Sequence, residues 1–329
     1  MKKIKLEDWI QSHTYHHSSF SDIKHLVDLK EKKGVKISLA FPTFNEEETI
    51  GQEVRVVREK LQKEYPLLDE VAVIDSGSTD RTQEMAREAG ADVYLADDYL
   101  PRFGVVRGKG ENLWKSLYLL EGDIIVWIDA DIKNIHPKFV YGPLGPLLEN
   151  DHIEYVKSFY ERPLKSMNRM RRSGGGRVTE ILVRPLLANF YPELAGFIQP
   201  LSGEYAGRRG VLEAVPFRVG YGVETGLLID IYEKFGLESL AQVDLDQRVH
   251  RNRGLVALGR MSFAILHTFF MRLRQQGIIS TDIKISKEFE LVRRRGENIF
   301  LERDEFTLLE RPPMLSVEEY RRKRGIIEK

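Results

Sequence analysis

Cysteine is absent from this chain of 329 residues, which excludes disulfide frameworks, thiolate metal sites and cysteine nucleophiles. The same absence suits a reducing compartment, and a cytoplasmic location is expected. Excess charge of either sign is missing as well, because Lys plus Arg number 50 and Asp plus Glu number 50. Binding through phosphate attraction needs a net positive field, so no nucleic-acid partner is expected. Long apolar runs are scarce. No stretch reads as reaching the roughly 18 apolar residues of a membrane span, so no integral membrane segment is expected. Residues 1–20 are broken by Glu7, Asp8 and several histidines, and lack the apolar centre of a secretory leader.

What the chain does have is apolar content and alternation. Hydrophobic residues make up 42% of it, too much for a disordered polymer, and its length allows roughly 75% of the unfolded surface to be buried. Short apolar runs at 37–41, 70–74, 92–95 and 123–128 read as buried strands. Amphipathic runs at 49–64, 80–89 and 110–120 read as the helices between them. Strand–helix alternation predicts an α/β fold with a mostly parallel sheet, whose ligands bind beyond the carboxyl ends of the strands. Further on, 155–160 and 240–245 read as strands, 178–189 and 223–235 as helices, and 169–176 as a basic, glycine-rich loop. From 255 onward the pattern reads as mostly helical. Four segments are expected: an N-terminal helical extension (1–35), a first half with the strand–helix alternation (36–150), a second half continuous with the sheet (151–254) and a helical appendage (255–329).

Four strand ends carry polar clusters. Pro42-Thr43-Phe44-Asn45-Glu46-Glu47 stops the first strand with side chains that can hold a base or ribose, or cap the next helix. Asp75-Ser76-Gly77-Ser78-Thr79-Asp80 ends the second, with Gly77 allowing a tight turn. Arg107-Gly108-Lys109-Gly110 opens a helix where lysine and amides can approach a phosphate, without the spacing of a Walker loop. Asp129-Ala130-Asp131 follows a buried strand, where two carboxylates are costly to assemble unless a cation neutralises them. A hard divalent ion on diphosphate oxygens would do so. Asp244-Leu245-Asp246 repeats the spacing and warns that Asp-x-Asp alone is weak.

These residues resemble the GT-A glycosyltransferases, and more closely the glucosyl-3-phosphoglycerate synthases with the related mannosyl-3-phosphoglycerate synthases. The resemblance rests on PTFNEEETI (42–50), DSGSTDRT (75–82), GKGENLW (108–114), DADI (129–132), GGGRVTE (174–180), YGVETGLLID (221–230) and VHRN (249–252), in that order. It implies a GT-A fold and a retaining transfer of hexose from a nucleoside diphosphate sugar to 3-phosphoglycerate, giving a glucosylglycerate precursor. The donor would be UDP-glucose, GDP-glucose or GDP-mannose, because nothing in the sequence separates the bases or the two sugars. Pro42, Glu46 and Ser76 would contact the nucleoside, and Lys109, Asp129, Asp131 and Arg248 the rest of the nucleotide. Asp131 and His250 would hold Mg2+ or Mn2+. Leu201, Gly203, Tyr221 and Glu224 would line the donor sugar, while Gly176, Arg177, Thr179 and Asn252 would bind the acceptor. Glu224, Lys109 and Asp131 carry the catalytic expectation, and a homodimer is implied.

Physical chemistry agrees with that reading. Arg169, Arg171, Arg172 and Arg177 around three glycines suit a small trianion, since guanidinium matches carboxylate and phosphate. The competing readings are a transferase acting on another phosphorylated acceptor such as a lipid phosphate, a non-catalytic nucleotide-binding scaffold, and a sugar nucleotidyltransferase. The last would want a glycine-rich loop where this chain has PTFNEEE.

Overall fold

β-Branched and aromatic runs form the strands. In chain order the strands are β1 (Thr14–His16), β2 (Ile37–Thr43), β3 (Glu70–Asp75), β4 (Asp92–Leu95), β5 (Ile124–Trp127), β6 (Tyr155–Glu161) and β7 (Leu164–Ser166). They continue with β8 (Arg169–Arg171), β9 (Tyr205–Arg208), β10 (Phe217–Arg218), β11 (Leu240–Gln247), β12 (Glu288–Arg295), β13 (Asn298–Glu305) and β14 (Glu310–Arg311). The computed structural model describes residues 4–162, 164–166, 169–171, 176–249 and 254–327. Eight strands form one sheet in the order β1-β11-β6-β9-β5-β2-β3-β4. β9 runs antiparallel to both β5 and β6, and every other pairing in this sheet is parallel.

That one reversed strand builds the site. Trp127 at the end of β5 and Lys157 in β6 both pair with Tyr205, the first residue of β9. The loop entering β9 therefore meets the segment leaving β5, and Gly203 and Glu204 arrive beside Asp129.

The sheet is covered on both faces, as side-chain alternation along β5 shows. Ile125 and Trp127 join one apolar cluster with Leu113, Trp114 and Leu117, while Ile124, Val126 and Ile128 join the other with Val54, Phe139 and Leu144. The helix Lys109–Leu119 is buried along most of its length. Arg209 donates to the carbonyls of Leu117 (2.8 Å) and Leu120 (2.8 Å) at its carboxyl end, satisfying groups that a helix terminus leaves unpaired.

The strands and helices of the first half lie close to where the sequence puts them, and the remaining differences have physical causes. Residues 1–35 are more than a helical extension, because β1 adds an edge strand parallel to β11. Part of 169–176 is strand rather than loop, with β8 pairing antiparallel to β7. Beyond the expected helix Leu255–Gln275, the chain forms the β12–β13 hairpin, not more helix. Phe289, Leu291, Val292, Ile299, Phe300 and Leu301 give these two segments strand-forming character, and Gly296 takes φ 63 in the two-residue connection. The C-terminal part is also no detached appendage. Arg311 grips Glu111 through Nε (2.6 Å) and Nη2 (3.0 Å), and Trp114 Nε1 donates to Pro312 O (2.9 Å), so the chain returns to the Lys109–Leu119 helix.

The expectation of no span-length apolar segment needs correction. Leu255–Gln275 reaches the length and apolar composition of a membrane span. Three features tie it into the fold. Ile265, Phe269 and Leu273 are buried in the core, Arg272 bonds Asp230 through two 2.5 Å contacts, and Arg272 also reaches Glu310 at 2.7 Å. Its apolar side serves packing.

Candidate active site

Strands β2 and β3 end in a braced pair of loops. Asp75 is fully buried, and its carboxylate accepts from Thr43 Oγ1 (3.0 Å), the amides of Gly77 (3.0 Å) and Ser78 (2.8 Å), and Gln83 Nε2 (2.9 Å). Gly77 takes φ 80, a conformation that glycine adopts without strain. Across the gap, Asn45 at φ 57 accepts from the Thr79 amide (2.9 Å), and the Glu46 amide donates to Thr82 Oγ1 (2.7 Å). Ser76 Oγ donates to Asn112 Oδ1 (2.8 Å), while Asn112 Nδ2 donates to Ile74 O (2.8 Å). Asn112 lies one turn after Lys109, so these loops and the lysine share one rigid frame. Pro42 lies near the end of β2, Glu46 in the loop after it, and buried Ser76 directly follows β3.

The Gly108-Lys109-Gly110 turn admits nothing larger. A Cβ at Gly110 would fall 1.7 Å from Arg218 O, and one at Gly108 2.6 Å from Val219 O. This close approach aims Lys109 inward. Its Nζ lies 2.5 Å from Asp129 Oδ1 and 2.7 Å from Glu224 Oε1, the latter in the first turn of the helix Val223–Phe235. Arg248, just beyond β11, completes the cluster. Its Nη2 donates to Asp131 Oδ1 (2.5 Å) and Asp129 Oδ2 (3.2 Å), and its Nε lies 3.1 Å from Glu204 Oε1. A Cβ at Gly203 would sit 1.8 Å from Asp129 Oδ2, so glycine is required there for the carboxylate to fit.

Burial opposes every charge in this cluster, and the partners decide the outcome. Burial pushes Asp129 upward, yet Lys109 and Arg248 hold it well below the usual carboxylate range. Burial pulls Lys109 downward, yet Asp129 and Glu224 hold its proton above the ordinary lysine range. Arg248 is likewise held fully charged, chiefly by Glu204. Lys109 is thus a fixed positive charge and not a base, and Asp129 is not a proton donor. Behind them lies Lys157, fully buried, its Nζ donating to Ser202 O (2.6 Å) over the Tyr205 ring, and burial lowers it to about 7.

The donor chemistry at Asp131 fits a hard divalent ion. Arg248 takes Oδ1, and Oδ2 accepts no hydrogen bond among the described residues, whereas both oxygens of Asp129 are engaged. The segment after Asp131 is held from behind, because the Ile132 amide donates to buried Glu53 (2.7 Å). The Lys133 amide donates to Val249 O (2.9 Å), tying that segment to the chain that leads out of β11.

The sequence-derived residues thus separate by place. Lys109, Asp129, Asp131, Gly203, Glu224 and Arg248 converge at contact distance. Leu201 lies in the same loop as Gly203, and Tyr221 stands half-exposed just before the Glu224 helix. Gly176 (φ 83), Arg177 and buried Thr179 open a separate helical turn. Among the described residues no hydrogen bond joins Gly176, Thr179 or Leu201 to the charged cluster. His250 and Asn252, with Arg172, lie outside the described residues, as do the side chains of Arg169 and Arg171.

Glu204, Lys157, Asn112 and Glu53 were missed by sequence reasoning. Glu204 follows Gly203 directly, and a carboxylate opening the apolar run of β9 was the available signal.

Comparisons with known proteins agree on one group. Residues 38–199 match the family model described as glycosyl transferase family 2. A glucosyl-3-phosphoglycerate synthase of Petrotoga mobilis is 52% identical over 97% of this chain and 98% of its own length. One from Mycolicibacterium smegmatis is 42% identical over 94% and 98%. Among solved structures, mannosyl-3-phosphoglycerate synthase from Rubrobacter xylanophilus superposes with a TM-score of 0.87 at 35% identity, covering 95% of this chain and 98% of that one. Glucosyl-3-phosphoglycerate synthase from Mycobacterium tuberculosis, in complex with Mn2+, UDP and glucosyl-3-phosphoglycerate, superposes with a TM-score of 0.76 at 41% identity, covering 89% and 95%. The fold is the GT-A fold expected from the motif order.

Proposed function

Because this chain belongs to the glucosyl-3-phosphoglycerate synthases of glycosyl transferase family 2, we propose that it moves glucose from UDP-glucose to 3-phosphoglycerate, with retention at the anomeric carbon and a divalent cation on the diphosphate. The observation that carries this reading is the convergence of Lys109, Asp129, Asp131, Glu224 and Arg248 where β5, β9 and β11 meet. Mn2+ and UDP accompany the product in the Mycobacterium tuberculosis structure, which supports the choice of uracil over guanine as the donor base.

Breaking the bond from the anomeric carbon to the diphosphate oxygen builds negative charge on the leaving group. Asp131, with His250, would hold Mg2+ or Mn2+, and the ion would supply neutralising charge there when bound. Lys109 and Arg248 add fixed positive charge that needs no reorganisation during reaction. Pro42, Glu46 and Ser76, in the braced loops after β2 and β3, hold the nucleoside. Glu224 reaches the sugar from below, together with Leu201, Gly203 and Tyr221. Gly176, Arg177, Thr179 and Asn252 hold the acceptor's phosphate and carboxylate. Lys109 stays protonated and serves as neither nucleophile nor base, and both oxygens of Asp129 are taken up by Lys109 and Arg248. Same-face attack, with the departing phosphate oxygen receiving the acceptor's proton, is therefore the route we assign.

The reading extends to a cytoplasmic homodimer. The cysteine-free composition supports the compartment. The β12–β13 hairpin supports the dimer, since it exposes Val292, Ile299, Phe300 and Leu301. A second reading, transfer of mannose from GDP-mannose, draws on the high TM-score with the Rubrobacter xylanophilus enzyme.

One assay separates these. The protein is incubated with 3-phosphoglycerate and UDP-glucose, GDP-glucose or GDP-mannose, with Mg2+ or with chelator, and products are read by mass spectrometry. Metal-dependent glucosyl transfer from UDP-glucose is the expected result. Preferred transfer from GDP-mannose would establish the second reading, and nucleotide binding without transfer from any donor would refute both.

A further inference from the structure

The second Asp-x-Asp segment gathers side chains that the sugar-transfer reaction does not use. His16 Nε2 lies 2.9 Å from Asp246 Oδ1, and His17 Nε2 lies 2.6 Å from Asp246 Oδ2. All three ligand atoms lie within 4.8 Å of one another. Consecutive residues of a strand point to opposite faces. Here β1 ends at His16 and a tight helical turn begins at His17, which brings both rings to the same side, with centroids 4.5 Å apart. Asp246 turns to meet them at φ 60, its amide donating to Asp244 Oδ1 (2.8 Å).

The outer contacts are those of metal-binding imidazoles. His16 Nδ1 pairs with Ser18 Oγ (2.7 Å), and His17 Nδ1 with Tyr141 OH (3.3 Å). Each ring is therefore held through one nitrogen while the other faces the carboxylate, the arrangement that orients histidine toward a metal. Lys138 Nζ, 2.6 Å from Asp246 Oδ2, places an ammonium where a cation is attracted.

We propose that His16, His17 and Asp246 form a binding site for a borderline divalent ion of the Zn2+ type, distinct from the hard-ion position at Asp131. Two imidazoles and one carboxylate are a zinc donor set with a fourth position left for water. Mg2+ favours oxygen ligands and selects the other site. The bound ion would clamp β1 onto the end of β11, two residues before Arg248. Lys138 competes with it for Asp246.

The test is calorimetric titration of the full chain with ZnCl2 in saturating Mg2+, and it does not depend on the assigned reaction. One Zn2+ per chain is expected, surviving in Asp131→Ala and weakened more than about tenfold in the His16→Ala/His17→Ala double variant. Lys138→Met is expected to bind Zn2+ more tightly than the parent, a gain that misfolding cannot imitate. Failure of the parent to bind Zn2+, unchanged binding in the double variant, loss in Asp131→Ala or weaker binding in Lys138→Met would each overturn the proposal.

Discussion

Asp129-Ala130-Asp131 follows β5, and Asp244-Leu245-Asp246 lies in β11, both toward the carboxyl edge of one sheet. The first pair faces inward, where Lys109, Arg248 and Glu224 crowd around it. The second faces outward, and Asp246 is about half-exposed beside His16, His17 and Lys138. Both Asp129 and Asp246 are held below the usual carboxylate range, for different reasons. At Asp129 burial is the largest influence and works against ionisation, so Lys109 and Arg248 must override it. At Asp246 the hydrogen bond from Lys138 leads, and burial opposes it less. Identical spacing thus yields an inward, oxygen-rich tip in one place and an imidazole cluster in the other. Neighbours distant in sequence decide which chemistry each pair can perform.

The largest expected contrast is catalytic. Asp131→Ala should lower metal-dependent sugar transfer by on the order of a thousandfold, and Asp246→Ala far less. Initial rates at saturating substrates measure both, and equal losses would break the distinction drawn between the two segments.

A second effect is smaller and selective. Arg177→Ala removes a charge-assisted contact assigned to the acceptor, so KM for 3-phosphoglycerate should rise about ten- to a hundredfold with KM for the donor little changed. Equal rises in both constants would move Arg177 out of the acceptor group.

The smallest effect sharpens what lies behind the inward pair. Buried Lys157 titrates at about 7, and burial is the main cause. Lysine in the unfolded chain titrates near about 10.4, so between these values the unfolded state holds the extra proton and stability rises with pH. The burial penalty is complete below about 7 and fades toward about 10.4. Denaturant unfolding of Lys157→Met and the parent should therefore differ by a constant amount below that window and converge through it. A pH-independent difference would contradict the assignment.

Much of the first half was readable from the chain. The segment 92–95 and the helix 223–235 lie where the pattern puts them, because apolar runs bounded by turn residues report strands and helices locally. Lys109, Asp129 and Asp131 could be found because each stands at a strand or helix end. For Glu204 the only local hint is a carboxylate opening β9, since its role depends on β9 running backwards between β5 and β6, a pairing that no local pattern encodes. Arg311 is a similar case: its grip on Glu111 spans 200 positions and turns an apparent appendage into a brace for the lysine helix. The hairpin after residue 275 has no clean apolar alternation, since Ile299, Phe300 and Leu301 are consecutive, so its strands carry only a weak local signal.

The central claim is that the inward pair, and not the outward one, receives the ion that faces the donor's diphosphate. Anomalous diffraction from crystals grown with Mn2+ and UDP tests it most directly. The account predicts a manganese peak on Asp131 beside the diphosphate, lost in Asp131→Ala; a peak confined to Asp246, or diphosphate bound at Lys109 with no manganese beside it, would contradict it.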